Sequence, residues 1–128
     1  MNRTEFEELV VEHSGSARER PFEKDQSIVV FRHHGNRKWF AVVMTIPQSR
    51  LGLDGNERID IVNLKCAEEL LDSLWQEDGI FPSYHMNKRH WITVALDGRV
   101  PTETLLWLLS ISRDLTRTRI RVKRNSNR

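Results

Sequence analysis

Two runs of strand-forming residues, Ser27 to His33 and Lys38 to Ile46, stand either side of His34-Gly35-Asn36-Arg37. No other feature narrows the possible folds as much. Val, Ile, Phe and Trp fill both runs, and the Gly and Asn between them accept the positive φ that a tight turn requires, so the pair reads as an antiparallel hairpin. A lone hairpin is marginal in water and must be extended by further strands or covered by helices.

The flanking sequence supplies both. Thr4-Glu5-Phe6-Glu7 has the form of a capping box, and Phe6, Leu9 and Val10 then share one helical face, predicting a first helix over 3–13 that Gly15 ends. Pro21 blocks helix, and Phe22 beside it is expected to plug the core. After a long Gly- and Asn-containing loop from Pro47 to Glu57, a third strand is expected at Arg58 to Leu64. Ala67, Leu70, Leu71, Leu74 and Trp75 recur at three- and four-residue spacing, which predicts a second helix over 66–77 closed by Gly79. Tyr84 to Met86 is expected to pair with Trp91 to Leu96, where Ile92, Val94 and Leu96 alternate with Trp91, Thr93 and Ala95. Pro101 introduces a third helix over 102–116 with Leu105, Leu108, Leu109 and Ser112 along one stripe. The order is α-β-β-β-α-β-β-α, an α+β class.

At 128 residues a single domain buries about two-thirds of its unfolded surface. With 38% apolar and 30% charged residues, general disorder is excluded, and no apolar run is long enough to span a bilayer. The opening Met-Asn-Arg-Thr-Glu-Phe-Glu-Glu lacks the pattern of a signal peptide, and the single cysteine, Cys66, permits no internal disulfide, so the expected location is cytoplasmic. The formal charge of +2 hides an asymmetry: residues from Arg113 onward carry +6 and the rest of the chain −4. We divide the chain into a domain over 1–116 and a basic extension over 117–128.

The stretch "YHMNKRHWITVALDG", followed by "VP" and a leucine-rich helix and preceded by "RPF" and "NLKC", resembles the MmcQ/YjbR family of small bacterial proteins, over about residues 5 to 116. The resemblance implies a two-layer α/β fold, a curved antiparallel sheet with helices on one side, similar to secretion chaperones. It also implies DNA binding, since family members are described as DNA-binding, double-wing proteins. This chain departs from the family pattern in placing Arg113 after the serine of the last helix and in its Arg-rich ending.

The segment from Tyr84 to Trp91 has two readings. It is either a well-made hairpin, with Asn87-Lys88 as its turn and His85 and His90 bonded locally, or a face presenting Tyr84, His85, Asn87, Lys88, Arg89 and Trp91 together. Such a face suits an anion or a stacked base, because cations fix phosphates and aromatic rings stack on bases. His85 and His90 lack a third ligand for zinc, and Cys66 at a helix start is either a small buried residue or an activated thiol without an identifiable partner. A second basic cluster, Arg32, His33, His34, Arg37 and Lys38, is interrupted beyond the hairpin by Asp54, Glu57 and Asp60.

In the extension, Arg117, Arg119, Arg121 and Lys123 alternate with Thr116, Thr118, Ile120 and Val122, which places four cations on one side of an extended chain. Four neutralised duplex phosphates correspond to a salt slope of roughly −3.6. The expectation is therefore a non-catalytic domain that contacts DNA phosphates through Tyr84, His85, Asn87, Lys88, Arg89, Trp91, Arg117, Arg119 and Arg121, without metal or cofactor. A protein- or peptide-binding module using the exposed sheet face is the alternative, and an enzyme acting on a small anionic substrate comes third.

Overall fold

The structure, a computed structural model, describes residues 1–117. Arg119 and Arg121 lie outside them. Helix α1 spans Arg3–Ser14, followed by strands β1 (Val29–Arg32), β2 (Trp39–Pro47) and β3 (Arg58–Lys65), a short helix α2 (Leu71–Leu74), strands β4 (Ile80–Pro82) and β5 (Trp91–Ala95), and helix α3 (Thr102–Thr116). The five strands form one antiparallel sheet in the order β1-β2-β3-β5-β4. Element order and class are those expected from the sequence.

Local chemistry explains where the boundaries fall. The cap of α1 is Asn2, two residues before the expected Thr4: its side chain accepts from the Glu5 amide while the Glu5 carboxylate accepts from the Asn2 amide. Asn is at least as good a cap as Thr, and the same Glu serves either box. Gly15 ends the helix in the left-handed conformation, as anticipated.

Beyond β3 the chain forms a 3₁₀ turn over Glu68–Leu70 and only then α2, which is shorter than the predicted helix over 66–77. Leu71 and Leu74 fill the core, after which the chain must turn back to reach the sheet edge. Gly79 makes that turn at φ 90°, where an added Cβ would lie 2.6 Å from Arg99 Cγ and 2.7 Å from Val100 Cγ2. Its carbonyl accepts from the Ala95 amide and starts the β4 ladder. The edge strand is therefore Ile80–Pro82, not Tyr84 to Met86.

The helices cover one face of the sheet. Phe6 and Val10 of α1, Leu105, Leu108 and Leu109 of α3, and Val29, Phe31, Val43, Val62, Leu64, Ile92 and Val94 of the strands form the main core. Each fully buried side chain of this size contributes roughly 1.5–3 kcal/mol relative to exposure. A bulge in β2, where Arg32 pairs with Trp39 but Phe31 pairs with Ala41, lets Phe40 and Ala41 both enter this core. Ser112 of α3 is fully buried; its hydroxyl donates to the Phe40 carbonyl at 2.6 Å and accepts from the Lys65 amide at 2.8 Å. A serine hydroxyl thus bridges β2 and β3 just beyond the Ala41–Leu64 pair that ends their ladder.

The opposite face carries a second cluster: Val30, Val42, Met44, Ile46, Ile59, Ile61 and Ala95 are all buried. Ile28, Leu51 and Tyr84 from the chain's own connecting segments lie against it, so the exposed sheet face is smaller than the sequence suggested. A sheet with aliphatic residues on both faces requires cover on both. Phe22 also belongs on this side; it packs edge-on against Trp39, 5.9 Å between centroids, and remains 38% exposed instead of plugging the core.

Candidate functional site

Residues 83 to 90 leave β4, cross the second face and return into β5. Their anchor is a buried polar knot. Asn63 of β3 is fully buried, and its Nδ2 donates to the Tyr84 carbonyl at 3.1 Å. Its Oδ1 accepts from the hydroxyls of Thr93 and of Ser83, both also fully buried, while Thr93 Oγ1 accepts from the Tyr84 amide at 2.8 Å. The Tyr84 backbone is thereby held by side chains of β3 and β5 instead of by a strand ladder, which is why alternation predicted a strand here and none forms. Satisfied buried networks of this kind fix one geometry, since any broken member strands a desolvated group.

The anchor constrains the residues after it. His85 adopts φ 63°, a left-handed conformation costing a non-glycine residue about 1–2 kcal/mol, and its ring lies 4.0 Å from that of Tyr84. The Asn87 side chain accepts from the Arg89 amide at 2.8 Å, and the Asn87 carbonyl accepts from the amides of His90 and Trp91. The turn expected at Asn87-Lys88 is present and runs from Asn87 to His90.

The structure divides the predicted cluster into three parts. Tyr84, His85 and Lys88 line a cleft of about 300 Å³ with Arg50, Leu51 and Phe81. Arg89 points the other way, pairing with Glu68 at 2.8 Å, and that hydrogen bond followed by the guanidinium charge holds the Glu68 carboxyl below its ordinary range. Trp91 opens β5, in a recess of about 230 Å³ shared with Lys38, Trp39, Lys65, Leu115 and Thr116.

This recess contains residues that sequence reasoning missed. Lys65 Nζ sits 5.6 Å from the Trp91 ring centroid, a cation–π contact, and makes no ion pair among the described residues. The available signal was alternation: Leu64 and Cys66 point into the core, so Lys65 must emerge on Trp91's side. Trp39 was read only as part of a strand, although the bulge beside it turns it outward.

The end of α3 borders the same recess and is held there. The His33 ring lies 2.7 Å from Thr116 Oγ1, and Asn36 Nδ2 donates to the Thr116 carbonyl at 2.7 Å. Burial, and then the charges of Arg113 and Arg117, keep His33 below its ordinary value and favour its neutral form. Arg117, the last described residue, pairs with Asp114 at 3.0 Å.

Other sequence candidates are accounted for by local partners. Arg32 and Arg37 of the first hairpin share Glu19, which offsets one of that cluster's formal positive charges. Cys66 is buried, and burial pushes its thiol up, away from the thiolate form. Among the described residues no three His, Cys, Asp or Glu side chains gather as a metal site would require, and no helix is long and apolar enough to cross a membrane.

The YjbR family model matches residues 12–115, which include the anchored segment, the whole sheet and the recess except Thr116. The chain belongs to the YjbR family. It is 37% identical over 117 residues to YyaQ of Bacillus subtilis, covering 91% of this chain and 99% of that one. A crystal structure of a Pseudomonas syringae protein superposes with a TM-score of 0.89 at 41% identity, covering 91% of this chain and all of the other. A Deinococcus radiodurans protein with a DUF419 domain gives a TM-score of 0.68 at 30% identity, over 90% of this chain and 78% of its own. The YjbR sheet and helices are thus shared with the proteins from Pseudomonas syringae and Deinococcus radiodurans.

Proposed function

We propose that this YjbR-family domain binds DNA in single-stranded form, chiefly through phosphates. The observation that carries the reading is the position of the α3 terminus: Leu115 and Thr116 wall the recess that holds Lys38, Trp39, Lys65 and Trp91. The described residues therefore end, at Arg117, next to a recess with two tryptophans and two lysines, and the Arg-rich sequence with Arg119 and Arg121 follows. Cations adjoining aromatic rings are what a sequence-tolerant single-strand site needs, with stacking worth about 1–3 kcal/mol per base and charge tracking the backbone. A recess of about 230 Å³ suits one unstacked base rather than a duplex groove. Lys88 and Arg89 lie on the turn that leads into Trp91 and add charge nearby, with Arg89 shared with Glu68.

The test is titration of an oligonucleotide of about ten nucleotides, followed by tryptophan fluorescence. Single strands should bind more tightly than the matching duplex, and Trp91→Ala should weaken binding by roughly tenfold, as about 1–3 kcal/mol implies. Binding unaffected by Trp91→Ala would reject stacking in the recess. Binding that persists unchanged at high salt would point instead to a peptide or protein partner.

A further inference from the structure

We propose a second, separate ligand site in this chain: the cleft beneath Tyr84 and His85 binds a small aromatic anion, a single ring bearing a carboxylate or phosphate. Its volume, about 300 Å³, lies at the lower end of the range for small-molecule sites. The lining sorts into two chemistries. Leu51, Phe81 and the Tyr84 ring provide apolar and aromatic walls, while Arg50, Lys88 and His85 supply donors, and among the described residues no carboxylate lines the cleft.

Arg50 and Lys88 make no ion pair among the described residues, unlike Arg3, Arg18, Arg32, Arg37, Arg89, Arg99 and Arg117, which all do. Positive charge left uncompensated beside an aromatic wall recognises an anion carried on a ring: the walls take the ring and the guanidinium takes the oxygens in bidentate fashion.

Both walls are held in advance. On one side the Asn63, Ser83 and Thr93 knot fixes Tyr84 and the left-handed His85. On the other, the 3₁₀ turn Gln48–Leu51 is closed by Gln48 accepting from Gly52 and Leu53 and donating its amide to the Glu57 carbonyl. A preformed cleft loses little ordering entropy on binding, which favours a small ligand with few contacts. The nucleic-acid reading draws on this cleft only for the charge of Lys88; its recess is walled by Trp39 and Trp91.

The experiment is an amide NMR titration of the full chain with phenyl phosphate, benzoate, benzyl alcohol and inorganic phosphate. The two aromatic anions should give saturable shifts at Arg50 to Gly52 and Phe81 to Lys88, with a Kd on the order of 1 mM. Benzyl alcohol and inorganic phosphate should bind at least about tenfold more weakly, since each offers half of the chemistry. Arg50→Met and Lys88→Met, both at exposed positions, should each weaken phenyl phosphate by about fivefold or more while leaving the thermal midpoint unchanged, and Trp91→Ala should leave it bound. Absence of saturable shifts, equal binding of benzyl alcohol, or loss of binding in Trp91→Ala would each overturn the proposal.

Discussion

Replacing Asn63 by leucine keeps the branched side-chain shape at a fully buried position, with somewhat greater bulk, but removes its hydrogen bonds to Ser83, Tyr84 and Thr93. Each such bond contributes about 1 kcal/mol net, and the Tyr84 carbonyl, left without its donor, adds a desolvation cost of about 1–3 kcal/mol. The hydroxyls of Ser83 and Thr93 can rotate to recover part of the loss, and leucine gains some transfer energy. The balance is a loss of about 3 kcal/mol, or roughly 10 °C in thermal midpoint for a domain of this size. Urea unfolding measures the first quantity, and amide exchange localises it. Exchange at Tyr84 to Asn87 should accelerate more than in the centre of β2, because the anchor of the 83–90 segment goes first. Thr93→Val, which removes the acceptor of the Tyr84 amide, should show a coupling with Asn63→Leu of about 1 kcal/mol. A loss below about 1 kcal/mol with uniform exchange would show that the knot does not hold the segment in place.

Ser112→Ala should cost about 2 kcal/mol, since it strands the Phe40 carbonyl and the Lys65 amide together, and urea midpoints should report it. Gly79→Ala should destabilise by about 2–3 kcal/mol through both its positive φ and its contacts with Arg99 and Val100; a neutral result would mean the turn is free to shift. His33 has its folded value lowered, so the folded chain binds fewer protons there than the unfolded one. Stability from this group is full above 6.5 and is lost as pH falls below 6.5 toward the lowered value; His33→Gln should flatten that part of the stability profile.

The alternation of β5 and the 3.6-residue stripe of α3 were legible because burial on one face imposes a strict period: Ile92, Val94, Leu105, Leu108, Leu109 and Ser112 all lie in the core as expected. Tyr84 was misassigned because its amide bonds to a threonine hydroxyl, and side-chain capture of a backbone leaves no periodic trace in the sequence. Phe22 was misplaced for a related reason: its partner Trp39 faces outward owing to a bulge whose position depends on strand register. The candidate site was legible as residue types but not as groupings. Adjacent residues Arg89 and Trp91 serve different neighbours, Glu68 and Lys65, and the recess at the root of the extension is assembled from three strands and a helix end far apart in sequence.

The measurement that bears most directly on DNA binding by the recess and its adjoining basic segment is the salt dependence of single-strand affinity, for the full chain and for a chain ending at Arg117. That end point preserves the bonds from His33 and Asn36 to Thr116. With Lys38, Lys65 and the four cations Arg117, Arg119, Arg121 and Lys123 on phosphates, log affinity against log salt should have a slope of roughly −4, falling to roughly −2 on truncation, which keeps Arg117. A slope that truncation leaves unchanged, or one near zero in both chains, would contradict it.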